Sequence, residues 1–232
     1  MAAPHLVLLP GMMCDERLFE PQINALNMPC TVADLSGHQT IEALAEHVLE
    51  EAPLRFALAG LSMGGIVAFE LWRQAPDRIT HLALMDTNPH PDAPERRTQR
   101  WRQVEEVLKG NLRDVAVDSL KPFYLAEQNR EDDDLLGVIL SMAMDLGPQV
   151  FERQSRALSA RPDSVPILET ITCPTLVLCG REDRLCPLDY HALMAERVPR
   201  ATLCVVEGSG HLPTLEQPDA VTAAMRSWLA SD

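Results

Sequence analysis

The chain has 232 residues, 46% hydrophobic and 23% charged, a composition that excludes disorder and suits one domain with a modest insertion. Its 34 acidic against 20 basic side chains leave a formal charge of −14. That balance excludes nucleic acid, whose phosphates need a basic face, and docking on anionic lipid. The N-terminal stretch carries no basic region, and the run Leu6 to Leu9 is too short for a signal core. No stretch approaches the roughly 20 apolar residues of a membrane span. Six cysteines, at 14, 30, 173, 179, 186 and 204, lack paired CxxC spacing and read as reduced thiols. A cytoplasmic protein is expected.

Short apolar runs alternate with amphipathic stretches. The first strand is predicted over His5–Leu9 and the second over Cys30–Asp34. Ile41, Leu44, Ala45, Val48 and Leu49 then repeat at helical spacing. The third strand, Arg55–Gly60, precedes a helix marked by Val67, Leu71 and Ala75, and the fourth spans Ile79–Asp86. From residue 88 to 166 no strand pattern appears. Trp101, Val104 and Leu108 mark one helix, and Asp132, Asp133 and Asp134 open a second that stops at Gly147-Pro148. Val150, Phe151, Gln154 and Leu158 mark a third. Strands resume at Thr175–Cys179 and Ala201–Val206, and a last helix carries Val221, Met225, Trp228 and Leu229. The near-continuous apolarity of the runs predicts strands buried on both faces. The expected fold is therefore α/β, a mostly parallel sheet of about six strands flanked by helices. Residues 1–87 and 167–232 form its core, and 88–166 a helical insertion after the fourth strand.

The sharpest motif is Gly60-Leu61-Ser62-Met63-Gly64-Gly65, between a predicted strand and a predicted helix. An abrupt strand-to-helix turn exposes the Ser62 hydroxyl at the sheet's carboxyl edge, and glycines at 60 and 64 relieve crowding across it. Met63 then offers a helix N-terminal N–H beside the serine. A serine nucleophile needs a base, and the base an orienting acid. Of seven histidines, His211, in a Gly-Ser-Gly-His loop beyond the sixth strand, sits at the edge where sites of open sheets gather. His38 and His90 follow strand ends and are candidate substrate contacts, with Met13. Asp183 follows the fifth strand and Asp86 closes the fourth; the order Ser62, Asp183, His211 favours Asp183. Gly11 lets the loop after the first strand turn, so the Met12 N–H is the second expected oxyanion donor, with Met13 behind it. No metal or cofactor is called for.

These motifs resemble the α/β-hydrolase fold superfamily along nearly the whole chain. Pro10-Gly11-Met12 resembles its His-Gly-X oxyanion turn, with Pro10 in place of histidine. Asp34-Leu35-Ser36-Gly37-His38 resembles its Asp-Leu-Pro-Gly-His loop, with Ser36 in place of proline. Gly60–Gly65 matches the nucleophile elbow, Cys173–Asp183 the strand that delivers the acid, and Gly208–Pro213 the histidine loop. The resemblance implies a cap at residues 88–166 and, because the oxyanion turn arrives at Gly11, a sheet without the family's usual leading antiparallel pair. It implies a serine hydrolase acting on a small carboxylic ester, thioester or lactone through an acyl-enzyme. A cofactor-free haloperoxidase using the same three residues, and a non-catalytic ligand-binding member of the fold, stay open beside it. Arg96, Arg97, Arg100 and Arg102 cluster in the predicted cap, either for a substrate carboxylate or as a solvated face paired with Glu95, Glu105 and Glu106.

Overall fold

A computed structural model describes residues 4–120 and 124–231. Six strands, β1 (Leu6–Leu9), β2 (Cys30–Val32), β3 (Phe56–Leu61), β4 (Ile79–Met85), β5 (Thr175–Gly180) and β6 (Ala201–Val206), form one sheet in the order β2-β1-β3-β4-β5-β6. Every neighbouring pair is parallel. β1, β3 and β5 are buried along their whole length. The edge strands β2 and β6 are only partly covered, with Leu203 on β6 exposed, because each has a neighbour on one side alone.

The strand period of two sorts side chains into two cores. Val7, Leu9, Phe56, Leu58, Leu82 and Leu84 face one core, under α2 (Ile41–Glu51), α3 (Met63–Gln74) and the helix Leu188–Arg197. Leu6, Leu8, Ala57, Ala59, Ala83 and Met85 face the other, against α1 (Glu20–Leu26) and the last helix, Pro218–Leu229. β1 feeds the edge strand β2, and the chain then returns to lay β3 on β1's other side. The crevice between β1 and β3 is the place where the winding reverses, at which open α/β sheets bind ligands.

The helical cap follows β4. Helix α4 (Pro94–Glu106) runs into wide, irregular turns over 107–120, with Gly110 at φ 103°. Leu108, expected on a buried face with Val104, is exposed there, while Val104 points inward beside Val107 and Leu112. Helix α5 (Asp133–Ala160) is capped by the Asp132 carboxylate, which accepts from the N–H groups of Asp134 and Leu135. The expected stop at Gly147-Pro148 is a break within α5: Gly147 takes φ 79°, ψ 176°, and the chain resumes its helix beyond it. α5 has the length and apolarity to cross a membrane by composition alone. Here the Arg17–Asp145 ion pair and the hydrogen bonds of the buried Gln154 bind it to the core.

Candidate active site

β3 delivers Ser62 in a left-handed conformation, φ 55° and ψ −114°, immediately before α3. The surroundings hold that strain. The Ser62 N–H donates to the Met85 carbonyl at 2.9 Å, and the Thr87 hydroxyl donates to the Ser62 carbonyl at 2.7 Å. The glycines are steric necessities. A Cβ on Gly60 would lie 2.3 Å from the Gly64 carbonyl oxygen, and one on Gly64 only 2.0 Å from the Leu9 carbonyl oxygen.

Ser62 Oγ lies 2.9 Å from His211 Nε2, and His211 Nδ1 lies 2.8 Å from Asp183 Oδ2. With the imidazole proton on Nδ1, that nitrogen donates to Asp183 and Nε2 accepts from the serine hydroxyl. Asp183 Oδ1 accepts from the N–H groups of Leu185 and Cys186, at 2.8 and 3.0 Å. Burial pushes the Asp183 carboxyl up, but the charge and hydrogen bond of His211 and these backbone donors outweigh it and hold it below the ordinary range. The histidine loop is braced from below. The buried Glu216 accepts from the Gly210 N–H at 2.8 Å, the Ser209 hydroxyl at 3.2 Å and the Ala126 N–H at 2.8 Å. The His211 N–H donates to the Tyr124 carbonyl at 2.7 Å, and the Tyr124 ring stacks on the imidazole with centroids 5.8 Å apart.

Asp86, the other candidate acid, is buried at φ 43° and accepts from the Gly180 N–H at 2.8 Å; no bond joins it to His211. Burial, then the neighbouring Asp183 charge, push its carboxyl well above the ordinary range. His191 underlies the same loops. Its Nε2 accepts from the Thr87 N–H at 3.1 Å, and burial pushes its pKa down to about 4.

A cavity of about 320 Å³ opens beside Ser62 and His211. Met12, Met63, Ile66, Leu158, Tyr124 and Leu212 give it apolar walls. Among the described residues, the N–H groups of Met12 and Met63 have no acceptor. Met13 is different. Its N–H is taken by Gln154 Oε1 at 2.8 Å, while Gln154 Nε2 donates to the Leu35 carbonyl at 3.1 Å. Its left-handed backbone, φ 56°, turns its side chain into the cap core with Val104 and Phe151. His38 and His90 do not line the cavity either. His38 lies against His47, and His90 against Tyr190, because the loops after β2 and β4 carry their side chains outward. Arg96 and Arg100 do line it, joined by Arg161, Arg184 and Tyr124, for which the sequence offers no motif.

The donor atoms of Asp183, Cys186 and His211 lie within 4.8 Å of one another, a spacing that could hold a metal. They are engaged otherwise: Asp183 bonds His211 and two backbone groups, and burial holds the Cys186 thiol in its protonated form. Ligation would require breaking that chain of bonds.

A parallel sheet with a serine elbow after β3 and a helical cap after β4 defines a class of hydrolytic enzymes. The alpha/beta hydrolase family profile matches residues 6–224, and the chain belongs to that family. It is similar to the pimeloyl-[acyl-carrier protein] methyl ester esterase of Nitrosomonas europaea, at 24% identity over 93% of this chain and 92% of that protein. Among solved structures, a thermophilic esterase from Thermogutta terrifontis, with malate bound, superposes with a TM-score of 0.90 at 30% identity, covering 98% of this chain and 90% of that one. The enol-lactonase of Burkholderia xenovorans LB400 superposes with a TM-score of 0.89 at 23% identity, covering 100% and 93%.

Proposed function

We propose that this chain is a serine hydrolase of small carboxylic esters, thioesters or lactones, with Ser62, His211 and Asp183 as its catalytic residues. The observation that carries the reading is the unbroken chain of hydrogen bonds from Ser62 through His211 to Asp183, opening on a cavity with two unpaired backbone N–H groups. His211 Nε2 takes the hydroxyl proton as Ser62 Oγ attacks the acyl carbonyl. The tetrahedral oxyanion lies between the Met12 and Met63 N–H groups, which are already oriented and cost no reorganisation. His211 then protonates the leaving alcohol, thiol or ring oxygen, and the acyl-enzyme forms. Water gives its proton to the same nitrogen, attacks the acyl group, and Ser62 leaves with its proton restored. Asp183 fixes the imidazole tautomer and stabilises its charged form. The esterase and lactonase names of the similar proteins support the substrate class.

The test is p-nitrophenyl butyrate hydrolysis by wild type and Ser62→Ala. Loss of about 10⁶-fold in kcat is expected, with an unchanged circular dichroism spectrum. Near-wild-type turnover by the variant would overturn the mechanism.

A further inference from the structure

Among the described residues, the cavity beside Ser62 is lined by four arginines, Arg96, Arg100, Arg161 and Arg184, and by a single carboxylate, Asp92. That ratio reverses the balance of the chain, whose formal charge is −14. Glu106 bonds Lys109 and Asn111, and no ion pair joins Arg96 or Arg100 to Glu95, Glu105 or Glu106 among the described residues. Asp92 organises the cluster. It is buried and accepts from Arg100 Nε at 3.2 Å and from Arg161 Nη1 at 2.9 Å. Arg161 is itself buried and fixed further by the His90 carbonyl on Nε and the Leu158 carbonyl on Nη1.

One aspartate thus holds two guanidinium groups by one edge each. The outer nitrogens remain. Arg100 Nη1 has only the Met12 sulfur, at 3.6 Å, and Nη2 of both arginines has no partner among the described residues. Met12 belongs to the turn after β1 that lines the cavity with Ser62, so the unspent donors lie near the reacting serine. Arg96 reaches the Leu185 carbonyl at 3.3 Å, and the exposed Arg184 completes the basic wall. Partly desolvated guanidinium forks with free donors match a carboxylate, which two parallel N–H groups can hold at once.

We propose that this cavity selects esters whose small acyl or alcohol part carries a carboxylate, bound by Arg100 and Arg161. The proposal rests on the hydrolase reading for its reaction, but anion binding can be measured apart from it. Three esters separate the sources of charge: monomethyl glutarate carries a carboxylate on the acyl side, O-butyryl glycolate on the alcohol side, and methyl valerate carries none. At low salt, kcat/KM for at least one charged ester should exceed that for methyl valerate by tenfold or more, and the excess should shrink as ionic strength rises. Arg100→Gln should cut that ratio at least tenfold. Because Arg100 partners the buried Asp92, the exposed variants Arg96→Gln and Arg184→Gln are measured beside it, each lowering the ratio by a smaller factor. Calorimetric binding of free glutarate to the Ser62→Ala protein, weakened by adding Arg100→Gln, supplies a readout that needs no turnover. Cleavage of methyl valerate with neither charge preference nor glutarate binding would overturn this proposal and leave the hydrolase standing. Glutarate binding without cleavage of any ester would do the reverse.

Discussion

Ser62, Asp183 and His211 each follow a strand, and the backbone of the sheet sets their positions to within a hydrogen bond. The cap approaches the same cavity in a different manner. Its residues 107–120 run in irregular turns, α5 breaks at Gly147, and its contribution is a set of side chains: Arg100 and Arg161, steered by one buried aspartate, and Arg96 beside them. On the proposed mechanism the sheet edge thus supplies the bond-making groups, on regular supports. The cap supplies walls and charge on a less regular one. Reactivity and selectivity should accordingly respond to different substitutions.

The comparison breaks first at the acid. Asp183→Asn should lower kcat for p-nitrophenyl butyrate by about 10⁴-fold, because the amide favours the wrong imidazole tautomer. Asp86→Asn should cost less than tenfold, since an amide oxygen at position 86 can also accept from the Gly180 N–H. Comparable losses in the two would mean that the acid function is shared between strand ends. The cap is probed next. Phe151 is buried with Val104, Val107 and Val150 in the cap's own core, and Phe151→Ala should cost about 3–5 kcal/mol, read from the urea midpoint. If the cap is the softer region, limited proteolysis of this variant should cut within residues 88–166 before it cuts the sheet.

The smallest effect concerns the support beneath the sheet edge. The His191 pKa is about 4 in the folded protein against 6.5 unfolded, so the unfolded chain binds more protons between those values. Stability is therefore full above about pH 6.5 and falls as pH drops toward 4, by up to roughly 3 kcal/mol. Urea midpoints at pH 7 and pH 5 should diverge in wild type and converge in His191→Gln. Equal divergence in both would place the acid sensitivity elsewhere.

What was legible in the sequence follows the same division. The elbow could be read because sterics at Gly60 and Gly64 act within four residues, and the strands because their apolar runs are short and bounded. Met13, His38 and His90, expected at the cavity, do not line it. Each follows a strand, but side-chain direction after a turn depends on dihedrals such as the φ 56° of Met13, which no spacing encodes. Arg161, Tyr124 and Glu216 left no local signal. Arg161 meets Asp92 across 69 residues, and Glu216 meets the Ala126 N–H across 90, so only the packed cap creates their roles.

Gln154 carries a consequence for how the two regions move. Its amide clamps the Met13 N–H and the Leu35 carbonyl, one in the turn that bears the Met12 donor and the other in the loop after β2. Swinging α5 outward would strand both groups, at about 1–3 kcal/mol for each left buried without a partner. Under the proposed mechanism the roof of the chamber and the floor that would receive the developing negative charge share one fastener, so a change that loosens entry is felt at the chemistry.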